Sequence, residues 1–220
     1  MHERGPLRAE LIFWRVHRKH VIWAFLRMAL DRRKLRRHGL RFWKLLGTGS
    51  GETFTVRDAN PYRWGVLMVG EGFPDLSHWD RKAIAKKTIA LQPIAVSGLW
   101  SKRDPFQGMT KVDAKSWQGK VAAITRARIK WRHNRLFWRS VPPVNLALKS
   151  SPGLIQAIGI GEAPIGLQGT FSIWESPQAI RDFAYKSSAH QEAIAATKRI
   201  GWYSEEMFAR FAVTEESGEW

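Results

Sequence analysis

The sequence predicts an α+β protein in which tandem ferredoxin-like (βαββαβ) repeats pack as an intramolecular α+β barrel. Three observations predict it. Apolar segments alternate between the two-residue period of half-buried strands and the period of helices, in the order βαββαβ. The same order recurs after a polar connection. Short motifs also repeat, with LLGTGSG at 45–51 matched by AIGIGEA at 157–163.

The chain divides into four segments on this reading. Residues 1–10 form a basic N-terminal arm, and residues 11–101 form the first ferredoxin-like half. Residues 102–119 are a connection rich in polar residues, glycine and proline. Residues 120–215 form the second half, which carries the candidate site.

Hydrophobic periodicity predicts the elements of the first half. The stretch after residue 17 turns helical, and Gly39 is a typical C-cap. The residues expected on the buried face of this helix are Val21, Ala24, Phe25, Met28, Ala29 and Leu35. The predicted elements are strand Leu11–Val16, helix His17–Arg37, strands Arg41–Leu46 and Trp64–Val69, helix Ser77–Ile89 and strand Ile94–Trp100.

The second half repeats this order. Its first helical stretch contains Pro142 and Pro143, which predict an interruption. The predicted elements are strand Val121–Ile129, helical segment Trp131–Leu148, strands Leu154–Ile160 and Ile165–Trp174, a helix from Pro177 to Ala196, and strand Phe208–Val213.

Residues Ile165–Ala196 draw attention because their helix carries one histidine. Ser176 and Pro177 are typical of an N-cap and a first helical position. His190 falls at helical spacing from Phe183, on the apolar stripe. From the residues alone, two readings stay open: a cofactor ligand, or an ordinary core or surface histidine bonded to the backbone.

Composition limits the function classes. The 220 residues contain no cysteine, which excludes disulfides, iron–sulfur clusters and thiolate-ligated haem. No window holds 18 uninterrupted apolar residues, and no cleavage pattern of a signal peptide is present. We therefore expect a cytoplasmic protein, peripheral at most on the inner face of the membrane. The Gly47–Gly51 segment lacks the Lys-Ser/Thr of a phosphate-binding loop.

The net charge of +17 is concentrated near the N-terminus. Residues 1–41 hold twelve Lys and Arg against three acidic residues, a net charge of +9. Such a segment beside apolar residues suits contact with an anionic membrane, here through residues 15–41. The alternatives are a solvated helix end, which is the simplest, and nucleic-acid binding, which ranks lowest.

An ordered set of motifs resembles the spheroidene monooxygenase family across roughly residues 10–215. The motifs are FWKLLGTGSGE (42–52), GLWSKRDPF (98–106), VAAITRARIK (121–130), IGIGEAP (158–164), FSIWESPQAIRDFAY with its later histidine (171–190) and GWYSEEMFARFAV (201–213). This resemblance implies O₂-dependent insertion of oxygen into acyclic carotenoids at the C2 carbon, with haem b as the cofactor and a separate electron donor such as ferredoxin.

A more distant resemblance concerns the second predicted helix. The segment IWESPQAIRDFAYKSSAHQEAI is similar to the strand and His-bearing helix of haem-binding monooxygenases on the dimeric α+β barrel. In that class a histidine on this helix ligates the haem iron, and by position the match falls on His190.

Further site residues follow from chemistry. Arg126 is a candidate partner for haem propionates, because guanidinium pairs well with carboxylates; an exposed strand face is the plainer alternative. A polyene needs an aromatic-lined pocket, for which the chain has twelve tryptophans to draw on. The candidate lining residues are Trp100, Phe106, Trp138, Trp174 and Phe183.

Two other functions compete with carotenoid oxygenation. The same fold and cofactor suit a protein that degrades haem or uses it for another reaction such as dehydration. A non-catalytic module, either a haem carrier or a basic nucleic-acid-associated protein, is the alternative from another class. No Ser-His-Asp order, metal-ligand spacing or carboxylate pair indicates a hydrolase.

Overall fold

Eight antiparallel strands close into a barrel, with the helices on its outside. The computed structural model describes residues 5–49, 58–162 and 168–220, and within these the side chains of Asn134, Trp138, Gln168, Ala189 and His190 are not described. The predicted α+β barrel is therefore confirmed.

The element order βαββαβ occurs twice. In chain order the elements are β1 (Arg8–Val16), α1 (Val21–His38), β2 (Phe42–Gly49), β3 (Ala59–Gly70), α2 (Ser77–Asp80), β4 (Ala83–Gly98), β5 (Val121–Ile129), α3 (Asn134–Lys149), β6 (Leu154–Glu162), β7 (Gln168–Trp174), α4 (Pro177–Lys186), α5 (Ser188–Ile200) and β8 (Tyr203–Gly218). Both halves also place a short 3₁₀ turn before their first helix, at Arg18–His20 and at Trp131–His133.

Two seams join the halves into one barrel. The strand order around it is β1-β3-β2-β6-β7-β5-β8-β4. Each half contributes four neighbouring strands, and equivalent edge strands meet: β4 pairs with β8 over Lys87–Gly98, and β2 pairs with β6 over Leu46–Thr48. Closure pairs most of the β4 and β8 edges but only three residues each of β2 and β6, and it protects these paired parts from edge-to-edge aggregation.

Strand β1 is buried on both faces because it lies between the barrel interior and α1. Leu11 and Phe13 belong to the cluster that fills the interior. Ile12 and Trp14, at the alternate positions, belong to the cluster beneath α1. The strand begins at Arg8, so it includes the last residues of the predicted N-terminal arm.

The predicted helix Ser77–Ile89 is wrong. Only Ser77–Asp80 is helical, and strand β4 begins at Ala83 instead of at Ile94. Alternate residues of β4 are buried, including Lys87, which forms an ion pair with Glu216. Because Lys87 interrupts the alternation of apolar residues, the two-residue period of the strand was not evident in the sequence. Pairing with β1 and β8 overrides the helical preference of Ala and Lys.

The C-terminal elements also differ in extent from the prediction. The helix from Pro177 to Ala196 is two helices, since Ser187 adopts extended φ and ψ between α4 and α5. The last strand is longer than Phe208–Val213. Helix α3 runs through Pro142 and Pro143 without a break. Residues 165–167 of the predicted strand, and 50–51 of the glycine segment, lie outside the described residues.

Helix α1 buries part of the face predicted: Ala24, Met28 and Leu35 are buried as expected, but Phe25 and Ala29 are not. Its buried residues are Ala24, Met28, Asp31 and Leu35. Phe25, expected inside, is 52% exposed, and Ala29 is also exposed. The apolar residues of α1 therefore occupy both sides of the helix. In the part of the chain that is described, no helix is long and apolar enough to cross a membrane.

Candidate active site

A cavity of about 200 Å³ lies between α3, α5 and the outer face of β5, β7 and β8. We call it the α3–α5 cleft. Its walls are mostly apolar, with a few hydroxyl and amide groups. The lining residues are Thr125, Ala127, Phe137, Ser140, Val141, Val144, Asn145, Leu148, Gly169, Thr170, Ala193, Ile194, Thr197, Trp202, Tyr203 and Phe208.

Small residues keep the cleft open. Ala127 on β5, Gly169 on β7 and Ala193 on α5 all contribute to its lining. A Cβ atom added at Gly169 would lie 2.7 Å from the carbonyl oxygen of Thr125, so β5 and β7 approach too closely there for a side chain. Larger residues at Ala127 and Ala193 would fill the space between helix and sheet, whereas a side chain at Gly169 would point toward Ile160 in the barrel interior.

Aromatic side chains close one end of the cleft. The rings of Phe137 and Trp202 meet edge to face, with centroids 5.4 Å apart. Trp202 Nε1 donates a hydrogen bond to Thr197 Oγ1 at 3.0 Å. Burial raises the pKa of the neighbouring Tyr203, so its hydroxyl stays protonated at neutral pH. This end is therefore rigid, neutral and largely apolar.

Residue 190 lies on α5, one helical turn before the part of α5 that lines the cleft. Ala193, Ile194 and Thr197 are lining residues, and positions 190, 193, 194 and 197 share one face of an α-helix. The side chain of His190 is not among those described. Its backbone position is compatible with a ligand for a group in the cleft, and the ligand role stays a prediction.

The predicted aromatic residues do not line one common pocket. Trp100 and Phe106 belong to the cluster in the barrel interior. Trp174 and Phe183 pack beneath α4 on the outside of the second half, with ring centroids 5.4 Å apart. The side chain of Trp138 lies outside the described part. The helix that carries Trp138, α3, borders the cleft.

Arg126 lies on the face of β5 opposite to the cleft. It is 2% exposed, and its guanidinium donates to the carboxylate of Glu205 inside the barrel. Its neighbours Thr125 and Ala127 line the cleft on the outer face. Arg126 and the α5 face are therefore not brought together, and the structure gives no support to Arg126 as a propionate partner of a group in the cleft.

The residues around Arg126 form a partly buried polar network that the sequence did not reveal. Lys44 Nζ lies 2.6 Å from Ser101 Oγ and 2.7 Å from Glu162 Oε2. Trp100 Nε1 donates to Glu162 Oε1 at 2.6 Å. We call Lys44, Trp100, Arg126, Glu162 and Glu205 the interior charge network. Its members come from separate strands and loops, and the only sequence signal of its four charged members is a polar residue at an inward strand position.

Glu205 also holds a strained turn. Its carboxylate accepts the backbone N–H groups of Ser101 at 3.1 Å and Lys102 at 2.6 Å. Both residues have left-handed φ angles, 55° and 60°, which cost energy outside glycine. Burial opposes ionisation of Glu205, but hydrogen bonds from Lys102 and Arg126 more than offset it and hold the pKa of Glu205 below its ordinary value.

Among the residues that the structure describes, no group of three or more His, Asp or Glu side chains is arranged to hold a metal ion. The α3–α5 cleft can accept a flat or elongated apolar molecule, because its walls are aliphatic and aromatic. The interior charge network, in contrast, surrounds almost no free space. We therefore take the cleft as the candidate active site.

Three curated relatives of this chain are named spheroidene monooxygenase. That of Rhodobacter capsulatus is 33% identical over 209 residues, which cover 90% of this chain and 86% of the relative. That of Rubrivivax gelatinosus is 33% identical over 192 residues, covering 83% and 72%. That of Cereibacter sphaeroides is 31% identical over 191 residues, covering 82% of this chain. This chain spans only 58% of the length of that last relative. No family model matches.

Two solved structures share the fold. A crystal structure of aldoxime dehydratase aligns with a TM-score of 0.54 at 8% identity, covering 98% of this chain and 88% of its own. A second aldoxime dehydratase, in complex with butyraldoxime, aligns with a TM-score of 0.52 at 11% identity, covering 94% and 79%. At these identities the likeness concerns the barrel architecture alone.

Proposed function

This chain belongs to the spheroidene monooxygenase family, and on that premise we propose that it is an oxidoreductase that inserts oxygen from O₂ into an acyclic carotenoid or a similar apolar polyene. The observation that carries the proposal is the 33% identity to the Rhodobacter capsulatus relative over 90% of the chain. The expected products are hydroxy and keto derivatives.

We propose haem b as the cofactor, bound in the α3–α5 cleft with His190 as the ligand of its iron. Two observations support this assignment. Helical register puts position 190 on the face of α5 whose residues Ala193, Ile194 and Thr197 line the cleft. The lining is apolar with a few hydroxyl groups, which suits a macrocycle that is hydrophobic over most of its surface.

The size of the cleft sets a condition for haem binding. About 200 Å³ is smaller than the ~300–1,000 Å³ of ordinary ligand pockets, so α3 and α5 must separate to admit haem. Pro142 and Pro143 lie in the middle of α3, where each removes a backbone hydrogen bond of the helix. Helix α3 is therefore the wall that bends more readily.

When bound, haem would supply the activation of O₂, with electrons from an external donor such as ferredoxin. The chain's own residues have the task of positioning the substrate and excluding water. Apolar contacts from Phe137, Val144 and Ile194 would hold a polyene without fixing it by hydrogen bonds. The protonated hydroxyl of Tyr203 offers no negative charge that would oppose an apolar ligand.

The test compares the visible absorption of the protein reconstituted with haem with that of His190→Ala. We expect a Soret band that is lost or shifted in the variant, because haem would lose the side chain proposed to hold its iron. His38→Ala, which alters an exposed histidine on α1, is the matched control and should leave the band unchanged. An unaltered band in His190→Ala would refute the ligand assignment, and absence of haem in the wild type would refute the cofactor.

A second measurement tests the reaction itself. The haem-loaded protein, supplied with a reductase, reduced ferredoxin and O₂, should convert an acyclic carotenoid in detergent micelles into hydroxylated or ketolated products. Loss of the haem spectrum with no change in the carotenoid would identify haem degradation instead.

We further propose a cytoplasmic location with peripheral contact to the inner face of the membrane through residues 15–41, because the substrate dissolves in bilayers.

A further inference from the structure

We propose that the outward side of α1 is a membrane-docking surface that binds bilayers containing anionic phospholipid. Four large apolar side chains on this helix are directed to solvent: Ile22 is 77% exposed, Phe25 52%, Leu26 56% and Leu30 53%. They lie within nine consecutive positions and form one patch on the helix surface. We call them the α1 outer patch. A contiguous exposed patch of this kind marks an interaction site.

The α1 outer patch is not a core face that failed to pack. The opposite side of the helix is fully buried by Ala24, Met28 and Leu35, all at most 4% exposed. Asp31, 1% exposed, anchors the same side by accepting a hydrogen bond from Trp79 Nε1 at 2.7 Å. The helix is therefore held on the barrel mainly by this side. Phe25 of the outer patch also meets Trp64 edge to face, with ring centroids 6.4 Å apart, but half of its side chain stays exposed. The patch is therefore available for another contact.

The charges next to the α1 outer patch indicate which kind of surface the patch contacts. Exposed cations precede and follow the patch along the chain, and the sole acidic residue between positions 11 and 51, Asp31, is buried. The flanking exposed cations are Arg15, Arg18, Lys19, Arg33, Arg36 and Arg37. Apolar side chains that enter the acyl region, with cations at headgroup level, are the pattern of interfacial membrane helices. Each cation near an anionic surface strengthens binding about fivefold.

The same charges argue against a second copy of the chain as the occupant. A parallel pairing of two α1 helices would bring Arg33 and Arg36 of both copies together. An antiparallel pairing would place these arginines against the apolar Ile22 and Leu26 of the other copy. Both arrangements bury cations without partners, which is costly. A bilayer accommodates both groups at once.

This inference rests on the proposed function only for its purpose, which is to keep the enzyme where an apolar polyene dissolves. The patch belongs to the first half, whereas the α3–α5 cleft belongs to the second half. Changes in the α1 outer patch therefore leave the cleft intact. Docking and oxygenation can be tested separately.

The experiment is co-sedimentation of the full chain with vesicles of phosphatidylcholine alone and of phosphatidylcholine with phosphatidylglycerol, without carotenoid. We expect binding to the anionic vesicles that falls as salt is raised. Arg33→Gln combined with Arg36→Gln should weaken it roughly 25-fold, at about fivefold per cation. Ile22→Ser combined with Leu26→Ser should weaken it roughly tenfold or more, because less apolar area enters the membrane.

Matched variants on the other half are the controls. Leu146→Ser changes an exposed leucine of α3, and Arg135→Gln with Arg139→Gln removes two exposed arginines there; both should bind vesicles like the wild type. Equal binding to both vesicle types, or loss of binding in the α3 variants alone, would overturn the proposal. So would α1 variants that change self-association in light scattering but not vesicle binding. Oxygenation in detergent that persists in such cases would leave the proposed function standing.

Discussion

Arg126 and Glu205 form the ion pair at the centre of the interior charge network. The side chain of Arg126 is 2% exposed and that of Glu205 is 14% exposed. Glu205 has further partners in the strained turn at Ser101 and Lys102. Because Arg126 is almost fully buried, removal of its nearer partner Glu205 leaves its charge poorly compensated, which is costly.

We expect Glu205→Gln to lower the free energy of unfolding by about 3 kcal/mol, since the buried Arg126 then loses its nearer countercharge and keeps only Glu162, 4.0 Å away. The measurement is equilibrium unfolding in urea. Glu206→Gln, at the adjacent exposed position, is the control and should change stability by less than about 0.5 kcal/mol. A loss in Glu205→Gln no larger than in the control would contradict the assignment of this pair as structural.

The same comparison has a pH dependence with a definite sign. The pKa of Glu205 is lowered in the folded protein from its ordinary 4.5. Its contribution is therefore present above pH 4.5 and is lost as the pH falls through the lower folded-state pKa. The stability difference between wild type and Glu205→Gln should shrink in acid below pH 4.5 and stay constant above it.

At the residue level, the sequence predicted the start of α4 but gave no indication of the interior charge network. Ser176 is the N-cap of α4, accepting the N–H of Ala179 at 3.2 Å, as its position before Pro177 predicted. The contacts of Glu162 with Lys44 span 118 positions and could not be inferred from spacing. The aromatic residues predicted to line one pocket lie on different sides of the sheet, and the local sequence does not indicate which side each residue faces.

Among the elements, α3 is the one whose sequence conflicts with its conformation. Pro142 and Pro143 lie inside a continuous helix of 16 residues. Proline in a helix interior costs about 3 kcal/mol relative to alanine, because a hydrogen bond is lost and the ring meets the preceding turn. That cost is tolerable if α3 has to bend away from α5 when a ligand enters the α3–α5 cleft.

We expect Pro143→Ala to stabilise the protein by about 1–3 kcal/mol and to slow haem uptake, because a stiffer α3 separates from α5 less readily. Thermal unfolding and the rate at which the Soret band appears measure the two effects. Pro105→Ala, in the connection between the halves, is the control for removing a proline outside a helix. Faster haem uptake in Pro143→Ala would refute the bending role of α3.

Strand β4 is an element that the local sequence does not predict correctly. Most strands of both halves were recognisable because their apolar residues alternate. The segment Ala83–Gly98 reads as helical up to Ile89, yet it forms the longest seam of the barrel with β8. Its inward Lys87 is stabilised by Glu216, a residue more than a hundred positions away. Tertiary pairing, not local preference, decides this element.

For the whole molecule, closure of the barrel makes the two halves one cooperative unit. We expect Ile124→Ala, in the barrel interior, to cost about 2–5 kcal/mol and to lower amide-exchange protection in β1 and β7 equally. Hydrogen exchange followed by mass spectrometry measures both strands at once. Leu146→Ala, at an exposed position, should leave protection unchanged. Protection lost only in β7 would indicate that the halves unfold independently.

The joining of both halves in one chain has an evolutionary consequence. In an assembly of two identical βαββαβ chains, every mutation appears on both sides, so a change that improves one side is also imposed on the other. A single chain removes this coupling. The equivalent helices α1 and α3 differ in this chain: α1 buries Asp31, whereas α3 contains Pro142 and Pro143. Natural selection can therefore adjust each side of this barrel on its own.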